Sequence, residues 1–215
     1  ASIYVLGPLL ARFGRARVSF PGGCAIGPRP IDLHLRGMTA LGARVRVEHG
    51  FIVAEAERLR GADVSLLGPH GSSVGATANV LMAAVLAEGT TRIRDAAREP
   101  EIIDLAEFLT AMGAQIEGAG TSVLTVEGVS SLAGTDYTVI PDRIAAASYL
   151  IAGAITGGDV TVRGAERGHM SAVLGKLTEA DVWLDWQDSD VRVRVPHGFR
   201  AVGLETAPYP GFPTD

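Results

Sequence analysis

The chain of 215 residues contains a single cysteine, few aromatic residues (6%) and a modest share of charged residues (20%). One cysteine excludes an internal disulfide and fits a reducing compartment. No uninterrupted apolar run is long enough to span a membrane, and the first residues lack the basic and then apolar pattern of a signal peptide. The sequence therefore predicts a soluble, cytoplasmic protein without a membrane partner.

Motifs for metals, dinucleotides and nucleoside triphosphates are also missing from the sequence. No Walker or dinucleotide glycine motif occurs, and the histidines are scattered at spacings that match no metal site. The net charge of -5 argues against a broad nucleic-acid surface. We therefore expect no metal, no cofactor and no nucleic-acid partner, and an anionic ligand would have to be bound by local features.

The sequence does contain a repeat, in which an apolar, helix-like stretch ends in glycine and is followed by a short strand. The glycines of the three copies are Gly14, Gly89 and Gly157, which lie 75 and 68 residues apart. Glycine just past a helix end is the expected C-cap. A second helix and two further strands follow, so that each copy of the repeat is approximately strand, helix, strand, helix and two strands.

Alternating segments predict two hairpins, one joining residues 44–48 to 51–55 and the other joining 182–186 to 191–195. The stretch 75–88 is apolar nearly all round, which is typical of a buried helix. We therefore expect an α/β or α+β fold with internal threefold repetition, its helices inside and its sheets outside. No linker-like segment separates the repeats, so the residues by themselves predict one compact domain.

Cys24 lies in residues 20–30, a segment with three glycines and three prolines. Proline removes backbone donors and glycine weakens regular structure, so we expect a surface loop. A nearby guanidinium lowers the pKa of a thiol, and the thiolate is the nucleophilic form. Arg29 therefore favours a reactive Cys24. The alternative is that Cys24 is a small buried hydrophobe, as lone cysteines usually are.

Five motifs resemble those of the UDP-N-acetylglucosamine enolpyruvyl transferase family, in the family's order and over nearly the whole chain. They are residues 21–34, 73–77, 96–102, 141–144 and 212–215. The resemblance implies transfer of enolpyruvate from phosphoenolpyruvate to the 3-hydroxyl of UDP-N-acetylglucosamine, with release of phosphate. This reaction is the first committed step toward bacterial peptidoglycan. Phosphoenolpyruvate would be a substrate and not a cofactor.

The family resemblance also implies an inside-out α/β barrel of repeated βαβαββ units, with two such domains and a site in the cleft between them. Residues 1–140 would form most of the domain with the catalytic loop, and residues 141–215 the start of the second domain. Family arginines that hold phosphoenolpyruvate would lie outside these 215 residues. We therefore expect the chain alone to be inactive.

The resemblance assigns two segments to the nucleotide sugar. The residues expected around the uridine and diphosphate are Arg29, Pro30, Ile31, Asp32, Leu33 and His34, and those expected at the diphosphate are Ser73, Val74 and Gly75. A guanidinium fork suits phosphate, and free backbone amides at a helix start attract anions. The alternatives are structural, with Arg29 and Asp32 as a surface pair, Asp32 as a helix cap, and Ser73 as an N-cap beside a packing glycine.

Two catalytic residues are implied by the resemblance. Cys24 would be the general acid toward the methylene carbon of phosphoenolpyruvate, and Asp215 the general base that deprotonates the sugar hydroxyl. Glu99 and Arg143 are further candidate charges of the cleft, whereas Asp142 is expected mainly to begin a helix.

The chain departs from the family pattern in two places. Residues 70–72 stand where the family has a lysine or proline, and Ala145 stands where it has a glutamate. Two other functions stay open. A related transferase could act on shikimate 3-phosphate, although Cys24 and residues 29–34 argue against it, and a noncatalytic piece could bind the nucleotide sugar without turnover.

Overall fold

The computed structural model describes residues 2–22, 30–69 and 71–213. The chain divides into two compact units, Ala1–Thr138 and Val139–Asp215, and each has its own hydrophobic core. None of the described helices is long and apolar enough to cross a lipid bilayer. The predicted boundary after residue 140 concerns the domains of the longer family enzymes and stays a prediction.

Unit 1 alternates helices with strands along its described residues. After a 3₁₀ helix at Ser2–Val5, the elements in chain order are α1 (Leu6–Phe13), β1 (Arg15–Ser19), α2 (Asp32–Ala40), β2 (Arg44–Glu48), β3 (Phe51–Glu55), β4 (Asp63–Ser65), β5 (Leu67–Gly68), β6 (Gly71–Ser72), α3 (Val74–Ala84), β7 (Thr90–Arg94), α4 (Pro100–Ala111), β8 (Gln115–Glu117) and β9 (Val123–Glu127).

The strands of unit 1 form two larger sheets and the short β5–β6 hairpin. One sheet has the order β1, β3, β2 and is antiparallel; the other has the order β4, β7, β9, β8, with only the β4–β7 pair parallel. Along β3, Ile52 and Ala54 are buried and alternate with more exposed residues. The β2–β3 pairing confirms the first predicted hairpin.

Helix α3 lies at the centre of unit 1, where it contacts α1, α2 and α4. Eight of its 11 residues are buried, which confirms the prediction of a buried helix with the sheets outside. The helix ends at Ala84, earlier than the predicted end at Glu88. The carbonyls of Val85 and Glu88 instead accept hydrogen bonds from the N–H groups of Val129 and Gly61.

Unit 2 contains two α-helices and one sheet within its described residues. Its elements are α5 (Arg143–Ile155), β10 (Asp159–Val162), a 3₁₀ helix at Arg167–Met170, α6 (Ser171–Glu179), β11 (Trp183–Gln187) and β12 (Asp190–Arg194). The sheet is antiparallel, with the order β10, β12, β11, and α5 packs against it. The β11–β12 pairing confirms the second predicted hairpin, although its turn consists of Asp188 and Ser189 alone.

The predicted repeat is visible in the strand orders β1-β3-β2, β7-β9-β8 and β10-β12-β11. In each copy the strand that follows the glycine pairs with the third strand, and the second strand lies on the far side of the third. The φ angles of Gly14, Gly89 and Gly157 are 69°, 84° and 63°, a region that glycine adopts without steric cost. The internal threefold repetition is therefore confirmed.

Candidate functional site

The first turns of α2 and α3 lie side by side in unit 1. A Cβ atom built at Gly75, in the first turn of α3, would lie 3.2 Å from both Cε1 and Nε2 of His34 and 3.0 Å from the hydroxyl of Tyr4. The rings of Tyr4 and His34 meet edge to face, with centroids 6.2 Å apart. The fold therefore brings together residues 30–34 and 73–75, two segments predicted to bind the same ligand.

The start of α2 presents both exposed and buried residues. Asp32 is the first residue of the helix, and Ile31 occupies the N-cap position without a side-chain hydrogen bond. The interpretation of Asp32 as the cap is therefore wrong. Its exposed carboxylate lies in the first turn, where the helix dipole favours a negative charge. Pro30 is also exposed, whereas Ile31 and Leu33 belong to the core of unit 1.

The start of α3 has the chemistry of an anion site. Ser73 is the N-cap, and its Oγ accepts a hydrogen bond from the N–H of Ala76 at 3.2 Å, which confirms the predicted cap. The first N–H groups of a helix have no intrahelical partner and carry partial positive charge. Val74 and Gly75 supply two of these groups, and Gly75 has no side chain to cover them.

Asn79 was not predicted from the sequence as a site residue. It is buried in α3 and lies within hydrogen-bond distance of His34. Its Oδ1 accepts a hydrogen bond from the N–H of Gly7 at 2.6 Å, and its Nδ2 lies 2.8 Å from the carbonyl oxygen of Ile3 and 3.0 Å from Nδ1 of His34. One amide therefore joins four helical elements. A signal was present, since a polar residue within an apolar, buried helix needs hydrogen-bond partners.

His34 is an uncharged group at neutral pH. Burial lowers the pKa of its imidazole to about 4, and the carboxylate of Asp32 raises it only in part. The ring can therefore donate or accept hydrogen bonds but supplies no positive charge to a ligand. Arg29, which was predicted to supply such a charge, lies outside the described residues.

The lowered pKa of His34 predicts a loss of stability in mild acid. The ring titrates near pH 4 in the folded chain and near its ordinary value of 6.5 when unfolded, so the unfolded chain binds more protons between these values. The free energy of unfolding should fall by up to about 1.4 kcal/mol per pH unit as the pH is lowered from about 6.5 to 4. Urea denaturation followed by circular dichroism measures this dependence.

The matched variant for that experiment is His34→Gln, which does not titrate in this range. The difference in unfolding free energy between wild type and variant should shrink as the pH falls toward 4, because only the wild type must expel a proton to fold. Parallel pH profiles of the two chains would contradict the assignment of this acid sensitivity to His34.

Three predicted site residues, Cys24, Arg29 and Asp215, lie outside the described residues, and their roles stay predictions. Among the residues that the structure describes, no group of histidine, cysteine and acidic side chains could hold a metal ion. Glu99, at the start of α4, is buried, and its Oε2 has no hydrogen-bond partner within the described ranges.

Asp142 has the structural role predicted for it in unit 2. Its Oδ1 accepts hydrogen bonds from the N–H groups of Ile144 and Ala145 at 2.9 and 3.0 Å. It is the N-cap of α5, and capping of this kind stabilises a helix by about 1 kcal/mol.

The three copies of the helix-and-strand repeat have the fold found in solved enolpyruvyl transferases. The chain belongs to the EPSP synthase (3-phosphoshikimate 1-carboxyvinyltransferase) family, whose model matches residues 1–215. The structure of the enolpyruvyl transferase NikO from Streptomyces tendae is similar, with a TM-score of 0.83 and 25% identity, over 99% of this chain and 51% of that chain. An EPSP synthase from Acinetobacter baumannii shares the fold, with a TM-score of 0.66 at 21% identity, over 96% of this chain and 48% of that chain.

The curated relatives are more similar to this chain in sequence than these two solved structures are. UDP-N-acetylglucosamine 1-carboxyvinyltransferase 1 of Symbiobacterium thermophilum is 55% identical over 100% of this chain and 48% of its own length. The UDP-N-acetylglucosamine 1-carboxyvinyltransferase of Geobacter metallireducens is 52% identical over 100% of this chain and 51% of its own length. The chain therefore spans about half the length of the curated relatives it matches. The expected family and its α/β fold are confirmed.

Proposed function

We propose that this chain is part of an enzyme that transfers the enolpyruvyl group of phosphoenolpyruvate to the 3-hydroxyl of UDP-N-acetylglucosamine and releases phosphate. The observation that carries the proposal is the similarity over the whole chain, at 50% to 55% identity, to relatives named for this reaction. The enzyme would then act at the first committed step of peptidoglycan synthesis, in the cytoplasm.

The adjoining starts of α2 and α3 support a nucleotide-sugar site in unit 1. In this proposal, the N–H groups of Val74 and Gly75 and the hydroxyl of Ser73 bind the diphosphate, as helix N-termini bind other phosphates. Arg29 adds positive charge, and the exposed carboxylate of Asp32 accepts hydrogen bonds from the nucleoside. Pro30, Ile31, Leu33 and His34 complete the predicted site, with Ile31 and Leu33 contributing backbone groups because their side chains lie in the core of unit 1.

The reaction requires one acid and one base, because the sugar oxygen adds to the double bond before phosphate leaves. Asp215 takes the proton of the 3-hydroxyl as the new carbon–oxygen bond forms, and Cys24 delivers a proton to the methylene carbon. The methyl group then gives a proton back to the Cys24 thiolate, its C–H electrons re-form the double bond, and the carbon–oxygen bond to phosphate breaks so that phosphate leaves with that electron pair. The thiol of Cys24 would also form a covalent adduct with phosphoenolpyruvate.

Labelling of Cys24 by the epoxide antibiotic fosfomycin tests this proposal. UDP-N-acetylglucosamine should accelerate the alkylation, since binding at Pro30 to His34 would hold the adjoining Cys24 segment in its reactive arrangement. Shikimate 3-phosphate should have no such effect. Intact-protein and peptide mass spectrometry, with timed samples, measures the labelling rate of this one thiol.

Equal labelling rates with and without UDP-N-acetylglucosamine would contradict the proposed nucleotide-sugar site. Acceleration by shikimate 3-phosphate alone would instead favour the other substrate of the family. A chain with Cys24→Ser serves as the control for alkylation at other nucleophiles and should stay unlabelled.

A further inference from the structure

Asn79 makes three hydrogen-bond contacts within unit 1, one through its side-chain oxygen and two through its side-chain nitrogen. A side-chain amide has one carbonyl oxygen and two N–H donors. The oxygen faces the N–H of Gly7, while Nδ2 faces both the carbonyl of Ile3 and Nδ1 of His34. Asn79 is fully buried, so none of these contacts can be exchanged for water without a cost.

The orientation of this amide is fixed by two backbone groups. The N–H of Gly7 can only donate, so it requires the oxygen of Asn79, and the carbonyl of Ile3 can only accept, so it requires the nitrogen. If the amide were flipped, its nitrogen would face the N–H of Gly7, donor against donor, and its oxygen would face the carbonyl of Ile3, acceptor against acceptor. The second N–H of Asn79 is therefore directed at Nδ1 of His34.

That contact determines where His34 carries its proton. Nδ1 accepts a hydrogen bond from Asn79, so at neutral pH this contact disfavours both the imidazolium and the Nδ1–H tautomer. The neutral ring then carries its single proton on Nε2. The lowered pKa of His34 agrees with this state.

The Nε2 edge of His34 faces the first turn of α3. Nε2 would lie 3.2 Å from a Cβ atom at Gly75, so the N–H donor lies beside the turn that carries the first backbone N–H groups of α3. A neutral imidazole held in this way adds a donor for a phosphate oxygen without the cost of burying a charge.

We propose that Asn79 is a positioning residue that holds His34 in its Nε2–H form and aims this donor at the start of α3, where it would bind a phosphate oxygen of the nucleotide sugar. The identity of the ligand rests on the proposed function, whereas the tautomer and its dependence on Asn79 do not.

Nitrogen-15 NMR of the 215-residue chain tests the tautomer directly at neutral pH. In the wild type, His34 should show a protonated Nε2 and an unprotonated Nδ1. In Asn79→Leu, which has a similar shape but no hydrogen-bonding group, the two tautomers should mix. Thr77→Val is the control, because it removes another buried hydrogen bond of α3, from the N–H of Ala97, and should leave the His34 signals unchanged.

Titration with UDP-N-acetylglucosamine, followed by NMR shifts, tests the role in binding. Asn79→Leu should weaken binding about tenfold, because the ring loses its fixed orientation as well as its single tautomer and so no longer makes one hydrogen bond to a charged group, while Thr77→Val should change binding less than about twofold. In a His34→Gln background, the glutamine amide supplies its own donor without a tautomer. In that background, Asn79→Leu should weaken binding less than about twofold, so a double-mutant cycle should show coupling between Asn79 and His34.

The outcomes separate this inference from the proposed function. A wild-type His34 protonated on Nδ1 would overturn the inference, whatever the chain binds, and so would equal effects of Asn79→Leu in both backgrounds. A wild-type chain with the Nε2–H tautomer that binds no UDP-N-acetylglucosamine would overturn the proposed ligand while leaving the control of His34 by Asn79 in place.

Discussion

Replacing Asp215 by asparagine in the complete enzyme should lower turnover by about 10²–10⁴-fold, the usual loss when a general base is removed. Asparagine has nearly the same shape but cannot take up the proton of the sugar hydroxyl. The affinity for UDP-N-acetylglucosamine should change by less than about tenfold, because the proposed diphosphate and nucleoside contacts lie in residues 29–34 and 73–75. Phosphate release at saturating substrates measures turnover, and calorimetry measures binding.

The control for this experiment is Asp188→Asn, the same chemical change in the exposed turn between β11 and β12. Asp188 has a φ of 53°, and asparagine tolerates this left-handed region as well as aspartate does. The control should retain turnover. An Asp215→Asn enzyme with unchanged turnover would remove Asp215 from the proposed mechanism.

Replacing Gly7 by alanine should destabilise unit 1 by about 3 kcal/mol or more, through overpacking and a lost buried hydrogen bond. A Cβ at Gly7 would lie 2.2 Å from the backbone oxygen of Asn79 and 2.5 Å from its Oδ1. Helices α1 and α3 would have to separate, and the contact that directs Asn79 toward His34 would be broken. Native-state amide hydrogen exchange of peptides from unit 1 measures this loss.

Gly175→Ala is the matched control, since Gly175 also lies inside a helix but has open space where a Cβ would be placed. Alanine there should stabilise α6 by about 0.5–1 kcal/mol, the ordinary helix preference of alanine over glycine. Both tryptophans, Trp183 and Trp186, lie in unit 2, so tryptophan fluorescence follows this variant. Destabilisation of equal size in both variants would show that close packing at Gly7 is not the cause.

The sequence predicted most elements correctly, because each of these elements depends on only a few neighbouring residues. The hairpin of β2 and β3 follows from alternation around a two-residue turn, and Ser73 and Asp142 cap helices through N–H groups two or three residues away. The helix-ending glycines at 14, 89 and 157 have the positive φ angles that such positions require. These features depend little on the rest of the chain.

The end of α3 could not be predicted in the same way. Residues 85–88 favour a helix by composition, but their backbone groups bond to other segments, from Leu59 and Gly61 to Val129. Gly128 also comes so close to the backbone of Ala87 that a side chain at Gly128 would collide with it. Tertiary hydrogen bonds and packing outweigh helix propensity, which amounts to less than about 1 kcal/mol per residue.

The sequence by itself determined the repeat, the hairpins, the family and the residue types expected to bind the nucleotide sugar, because each rests on short segments of adjacent residues. Only the tertiary structure decided that the starts of α2 and α3 meet, that Asp32 is not a cap, and that His34 is buried and neutral. The contacts of Asn79 join residues 45, 72 and 76 positions apart. No local pattern encodes such a pairing, since it arises only when packing of the helices removes these polar groups from water and leaves them one another as partners.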